Sequence, residues 1–353
     1  MNDLETILRE TVATRGAISV AEYMELCLLH PAHGYYATRD PLGRAGDFIT
    51  APEISQMFGE LIGLALAQAW LDQGAPSAFT LAELGPGRGT LMADALRALR
   101  AVPGFLDAAE IHLVEASPVL RATQETALSG HAVTWSDTAE TLPDQPLFLV
   151  ANEFFDALPV RQFVRTGNAW RERRVTTDGP ALAFTLAPPG PVPALVHRLA
   201  DTRDGDLVEH CAAAAPIADA IGRRISAHGG AALIIDYGDW RSQGDTLQAL
   251  HRHRPANPLE TPGESDLTAH VDFEALATAA ACAHTRLTAQ GVFLERLGIT
   301  PRAQALARNL TGAALDAHIA AHRRLTHAQE MGTLFKVLGL YPQGATPPPG
   351  LDP

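Results

Sequence analysis

Apolar residues recur at helical spacing at Leu4, Ile7 and Leu8, and again at Val20, Tyr23, Met24 and Cys27, which predicts two N-terminal helices. Ser19 followed by Glu22 is a capping-box pattern for the second. Pro31 and Gly34 end it, and Tyr35-Tyr36 follow. A polar loop with Gly43, Gly46 and Asp47 then leads to Thr50-Ala51-Pro52-Glu53, where Pro52 suits the first turn of a helix running through Met57, Phe58, Leu61 and Trp70.

From Phe79 onward the pattern changes to short continuous apolar runs separated by helical stretches. Phe79 to Leu84, Ile111 to Val114, Val133 to Trp135, Leu147 to Ala151 and Ala231 to Asp236 read as buried strands. Thr90 to Arg100 and Pro118 to Leu128 read as the helices between the first three. This alternation predicts an α/β fold with a parallel sheet and helices on both faces. Gln162 to Val175 interrupts it, strand-like on both sides of Thr166-Gly167-Asn168, as a β-hairpin that Leu182 to Leu186 extends. Gly238 to Asp266 is long for a loop and is expected to be functional or mobile. Val271 to Ala283 and residues 301–330 read as helical, Thr285 to Gln290 alternates like a strand, and Leu334 to Leu340 is a candidate closing strand.

Composition narrows the function. The 353 residues, 46% apolar and 19% charged, can bury a sizeable core as one large or two small domains, which excludes global disorder. A net charge of −13 argues against a nucleic-acid partner, and the arginines from Arg161 to Arg174 read as a solvated hairpin face. Cys27, Cys211 and Cys282 lie far apart, which argues against a disulfide framework and for a reducing compartment. The N-terminus carries no apolar signal core and no arginine-rich presequence, and the apolar run from Leu61 to Leu71 is too short to span a bilayer, so a cytoplasmic protein without membrane insertion is expected. His30, His33, His251, His253 and His270 form no recognisable zinc spacing, so no metal is expected, and no nucleophile-elbow signature stands out.

The most informative run is Glu83-Leu84-Gly85-Pro86-Gly87-Arg88-Gly89-Thr90, between a predicted strand and a predicted helix. Glycines there let the chain turn sharply and let a ligand approach the backbone, and N–H groups at the helix start can receive a carboxylate. Glu115 ends the next strand, where an acid accepts hydrogen bonds from two ribose hydroxyls. A dinucleotide fingerprint places its third glycine at position 90, which is Thr90, so a nicotinamide dehydrogenase is disfavoured. The spacing instead resembles motif I of class I S-adenosyl-L-methionine (AdoMet) methyltransferases, with Glu83 toward the cofactor's ammonium. The alternative is a plain glycine turn with both acids solvated.

A second constellation, Asn152-Glu153-Phe154-Phe155-Asp156-Ala157-Leu158-Pro159, follows the Leu147–Ala151 strand. Ligands of doubly wound sheets bind beyond the carboxyl ends of strands, so Asn152, Glu153 and Asp156 fall where an acceptor meets the methyl donor. Carboxylates there suit a cation such as a guanidinium. Asn152 or Asp156 as a helix cap is the competing reading, and both can hold.

These stretches, with Gly46 to Ser55, Asp236-Tyr237-Gly238, Asp266 to Phe273 and Met331-Gly332 through Phe335-Lys336, resemble the MidA family over about residues 16–340. The resemblance implies a class I methyltransferase fold: a doubly wound, mostly parallel seven-stranded sheet with a helical N-terminal cap or lid over 1–60. The AdoMet-binding domain would span 61–340, with family insertions at about 160–230 and 295–330, and 341–353 would be a flexible tail. AdoMet is the implied cofactor, held by Glu83, Gly85, Gly87, Gly89, Glu115 and Asn152. Glu153 and Asp156 are the expected catalytic carboxylates, and Asp47, Thr50 and Ser55 belong to a candidate lid or substrate loop. For the family's mitochondrial member the resemblance implies symmetric ω-N dimethylation of an arginine in a complex I subunit, so a protein substrate is expected here. Methylation of a small molecule or another protein site, and a non-catalytic AdoMet-holding assembly factor, are the alternatives.

Overall fold

Every residue of Phe79–Leu84 is buried, and this strand lies at the middle of the larger of two units into which the chain divides. The computed structural model describes residues 3–38, 50–251 and 254–353. One unit comprises 49–155, 215–240 and 273–353, and the other the remaining segments up to 48, from 156 to 214 and from 241 to 272.

The sheet unit contains Gln56–Asp72 (α1), Phe79–Leu84 (β1), Thr90–Leu99 (α2), Ala109–Val114 (β2), Pro118–Ala127 (α3), Val133–Ser136 (β3) and Leu147–Asn152 (β4). Ala214–His228 (α4), Gly230–Asp239 (β5), Ala283–His284 (β6) and Phe335–Tyr341 (β7) complete it. The strands run in the order β3-β2-β1-β4-β5-β7-β6. β1 to β5 are mutually parallel, while β7 is antiparallel to β5 and to β6. These seven strands are the main path of a nine-stranded sheet, whose two further strands are two residues each, and the path is mostly parallel as the resemblance implied. The order reverses between β1 and β4, so the crevice beyond their carboxyl ends is the place where such sheets bind ligands.

Packing sets that crevice. Phe79 meets Phe105 and Phe148 edge-on, with ring centroids 4.8 and 5.2 Å apart, and anchors β1 in the apolar core. Gly59 and Gly63, one turn apart on α1, let α2 come close: a Cβ at either would lie 2.8 Å from Asp94 or Ala95 Cβ. Glu60, beside them and 5% exposed, accepts from Arg97 at 2.9 Å and from Arg302 at 2.8 Å, which satisfies its buried charge.

The other unit packs helices Asp3–Arg15 and Val20–Leu29 in a core with Val160, Val175 and Leu267. The predicted capping box forms, with Glu22 N–H 3.1 Å from Ser19 Oγ and Ser19 N–H 3.0 Å from the Glu22 carboxylate. The predicted hairpin is Arg161–Thr166 against Ala169–Asp178, turning at Gly167 with φ +57°, and Ala181–Leu186 extends it. Its arginines are not a purely solvated face: Arg161 and Arg174 each meet Glu172 at 2.7 Å, Arg173 meets Asp245 at 2.5 Å, and Arg165 is buried and donates to Leu199 O at 3.1 Å.

Several expectations change. The predicted single helix after Thr50 is two, Ala51–Ile54 and α1, because Ser55 is extended (φ −160°, ψ 135°) and its side chain caps α1. The stretch from Gly238 to Asp266 is not structureless: Gln248–His251 pairs with Arg254–Ala256 and with Asp266–Thr268. Residues 301–330 divide into the helices Ile299–Ala307 and Gly312–Thr326. The C-terminal residues, expected to fray, are docked: Leu351 lies in the core at 7% exposure and Arg286 N–H donates to Asp352 O at 2.9 Å. Residues 49–60, expected to belong with the N-terminal cap, sort with the sheet unit. Among the described residues no helix is long and apolar enough to cross a membrane.

Candidate functional site

The chain leaves β1 through three glycines in the left-handed region, Gly85 (φ +59°), Gly87 (φ +53°) and Gly89 (φ +81°), and enters α2 at Thr90. Only glycine takes that conformation without strain, so the turn follows directly from the sequence. Gly85 N–H donates to Val114 O at 3.0 Å, which ties the loop to the end of β2. A Cβ on Gly85 would stand 2.8 Å from the Phe154 ring, so the segment after β4 lies directly against the loop.

Glu83 is 3% exposed, and burial pushes its carboxyl up to about 8 against the opposing pull of the Met92 N–H. Its Oε2 has no hydrogen-bond partner among the described residues, and neither does Asn152 Oδ1, itself in a residue 8% exposed. These two orphan acceptors sit near the carboxyl ends of the paired strands β1 and β4. Buried acceptors without donors are costly, so they fit a ligand that brings N–H groups, as the ammonium of AdoMet does.

The raised acid has a consequence for the ligand-free protein. Between the usual carboxylate pKa of 4.5 and about 8, the native state holds a proton that the unfolded chain releases, so stability falls as pH rises through that window. Glu83→Gln lacks this loss. Its Tm relative to the native chain is expected to gain about 4 °C or more between pH 5 and pH 8.5 in thermal unfolding. A difference that stays constant with pH would contradict the assignment.

Glu115 follows β2 and continues its pairing, with N–H 3.0 Å from Ser136 O. Burial raises its pKa, while the Ser117 N–H, the Gln124 amide and the Arg121 charge act in the opposite sense. Ser117 N–H donates to Oε1 at 2.8 Å and Gln124 Nε2 to Oε2 at 3.2 Å. The second constellation turns on Glu153, a non-glycine residue at φ +52°; such strain persists where the surroundings fix it, often at working sites. Its Oε1 accepts from Ala51 N–H at 3.0 Å and from Asn152 Nδ2 at 3.1 Å, and its own N–H donates to Ile235 O at 2.9 Å.

The structure therefore brings together Glu83, the three glycines, Glu115, Asn152 and Glu153 around the switch point of one unit. Asp156 falls in the other unit, 6% exposed, with Tyr36 and Asp266 nearby and its carbonyl accepting from Ala269 N–H at 3.0 Å. Thr50 and Ser55 act as helix caps: Thr50 O accepts from Glu53 N–H at 3.0 Å, and Ser55 Oγ from Met57 N–H at 3.3 Å. Asp47 lies outside the described residues. Three contributors were given no site role by the sequence analysis, although Glu53 and Asp236 stand in stretches that carry the family resemblance. Glu53 accepts from the Thr90 hydroxyl and ties the Thr50–Glu53 turn to the start of α2. Asp236, fully buried, accepts from Phe155 N–H at 3.0 Å and Tyr237 N–H at 2.9 Å and fixes the turn after β4. Gln124 joins the loop to Glu115. Asp236 was within reach, since an acid ending a run of apolar residues signals a strand end, and Glu53 stood in a stretch singled out for the resemblance; Gln124 gave no comparable signal. A groove of about 920 Å³ lined by Glu53, Arg88, Thr90 and α3 residues such as Val119 adjoins the loop, but Glu83, Glu115 and Asn152 do not line it.

Comparison with known proteins agrees with this geometry. A family model of S-adenosyl-L-methionine-dependent methyltransferases matches residues 61–292. The mitochondrial protein arginine methyltransferase NDUFAF7 of Rattus norvegicus is 38% identical over 362 residues, covering 94% of this chain and 82% of the relative. Its Homo sapiens counterpart is 37% identical over 362 residues, covering 94% and 81%. A Burkholderia thailandensis protein crystallised with S-adenosyl-homocysteine superposes with a TM-score of 0.82 at 33% identity, covering 99% of this chain and 92% of that one.

Proposed function

The chain belongs to this family of S-adenosyl-L-methionine-dependent methyltransferases, and from that premise we propose that it methylates an arginine side chain of a protein. The observation that carries the proposal is Glu153: a carboxylate held at φ +52° directly after β4, anchored through Oε1 by Ala51 and Asn152. The names of the relatives, protein arginine methyltransferases, support the same acceptor class. The resemblance to the MidA family supports symmetric ω-N dimethylation of a respiratory complex I subunit as the specific reaction.

When bound, AdoMet supplies a methyl group already activated by its sulfonium, so the protein's task is mainly to position the partners and exclude water. In this proposal the loop N–H groups at the start of α2 take the cofactor carboxylate, Glu83 and Asn152 the ammonium, and Glu115 the ribose hydroxyls. A guanidinium is protonated in water, with a pKa above ~12, so the nitrogen to be methylated must give up a proton during transfer. Glu153 is proposed to hold the guanidinium by paired N–H bonds and to accept that proton. Glu153 alone is given this role; Asp156 is buried beside Tyr36 and Asp266. Thr50 and Ser55 would contribute as caps that hold Ala51 N–H on Glu153. The three cysteines are free and far apart in sequence, which supports a reducing compartment, proposed to be the cytoplasm.

Mass spectrometry of proteins from cells with and without the gene tests the acceptor. The expected result is loss of dimethylation at one arginine, restored by the native chain. Loss of methylation at a non-arginine site, with every dimethylarginine retained, would overturn the arginine assignment.

A further inference from the structure

Gln124 stands on α3 with a fully buried side chain and three polar neighbours. Its Nε2 is 2.8 Å from Gly87 O and 3.2 Å from Glu115 Oε2, and its Oε1 is 2.8 Å from Trp135 Nε1. The chemistry of these neighbours fixes the amide. An indole N–H can only donate, so it must face the amide oxygen; a carbonyl and a carboxylate can only accept, so they must face the two amide hydrogens. No other orientation satisfies all three groups. The backbone is also close: a Cβ on Gly89 would lie 3.5 Å from Gln124 Cα and Cγ.

We infer that Gln124, oriented by Trp135, is a positioning residue that couples the glycine loop to Glu115, so that the two ends of the AdoMet site are set by one amide. The inference rests on the proposed role of Glu115 toward the ribose. Glu115 Oε1 is held by Ser117 N–H and Oε2 by the Gln124 amide, so the amide decides how the carboxylate presents itself. The same amide holds the Gly87 carbonyl, which fixes the peptide plane between Gly87 and Arg88 and the direction of the N–H that follows. Gln124 touches no substrate in this account; it acts through its partners.

The test is calorimetric titration of the full chain with S-adenosyl-homocysteine and with its 2′-deoxyribose analogue, which lacks one hydroxyl that Glu115 would bind. The native chain is expected to prefer the first ligand. Gln124→Met, which keeps the volume but removes the amide, is expected to weaken the first ligand about tenfold and the analogue by about threefold or less. Trp135→Phe, which removes only the orienting N–H, is expected to narrow the preference in the same direction and serves where Gln124→Met does not fold. In a Glu115→Ala background, Gln124→Met should cost no more than about threefold further affinity, the part that runs through the Gly87 carbonyl, because the part that runs through Glu115 is already lost. Equal affinity of the native chain for the two ligands would overturn the ribose assignment of Glu115, and this inference with it. An undiminished preference in both Gln124→Met and Trp135→Phe would overturn the inference while leaving Glu115 in place.

Discussion

Gly87→Val is expected to lower affinity for S-adenosyl-homocysteine by about a hundredfold or more, while the protein still folds. Gly87 sits at φ +53°, a region that a β-branched residue enters only with strain of about 1–3 kcal/mol. The loop can relieve that strain only by rotating, and rotation swings the Gly87 carbonyl off Gln124 and re-aims the N–H groups at the start of α2. Val also places three carbons where the backbone must be approached closely. The sheet is affected less, since β1 is buried throughout and paired on both sides. Calorimetry alongside thermal unfolding separates the two effects: affinity within tenfold of the native value in a folded Gly87→Val protein would contradict the role given to the loop.

Glu153→Gln is expected to reduce turnover on the arginine acceptor about a hundredfold or more while S-adenosyl-homocysteine affinity changes by less than about threefold. The amide oxygen of glutamine can still accept from Ala51 N–H, so the turn after β4 keeps its shape. What is lost is the charge that holds a guanidinium and the basicity that takes its proton. The effect should appear in kcat, because proton transfer belongs to the chemical step. Unchanged kcat would remove Glu153 from the chemistry, and an equal loss of cofactor affinity would recast it as a support of the site's shape.

The parts of this fold that were legible in the sequence are those encoded locally. Buried strands such as Leu147–Asn152 are continuous apolar runs, the glycine loop carries its own conformational signal, and Ser19 with Glu22 encodes a helix start within four residues. The parts that were not legible depend on distant partners. Nothing near Ser55 shows that its extended backbone splits one helix into two, because Pro52 is equally at home at the start of either arrangement. The C-terminal residues look like a proline-rich tail until Leu351 finds its place in the core. At the site, Glu115 and Glu153 were recognisable because each directly follows a strand run, and Glu83 because it stands two residues before the first glycine of the loop. Gln124 was not, since a glutamine on a helix reads as a solvated residue, and only the neighbouring indole, carbonyl and carboxylate show what it does. Glu53 is similar: its partner, the Thr90 hydroxyl, lies 37 positions away. Asp156 lies where the chain passes from one unit to the other, and its buried neighbours Tyr36 and Asp266 are distant in sequence and could not be read from it.

In the proposed reading the glycine turn after β1, with its buried orphan acceptors, holds the methyl donor. Titrating S-adenosyl-homocysteine into the native chain by calorimetry tests it most directly. Saturable binding at one site per chain that excess AdoMet competes away is expected; no binding of S-adenosyl-homocysteine by the folded protein, with saturable binding of NAD instead, would overturn this placement of the donor.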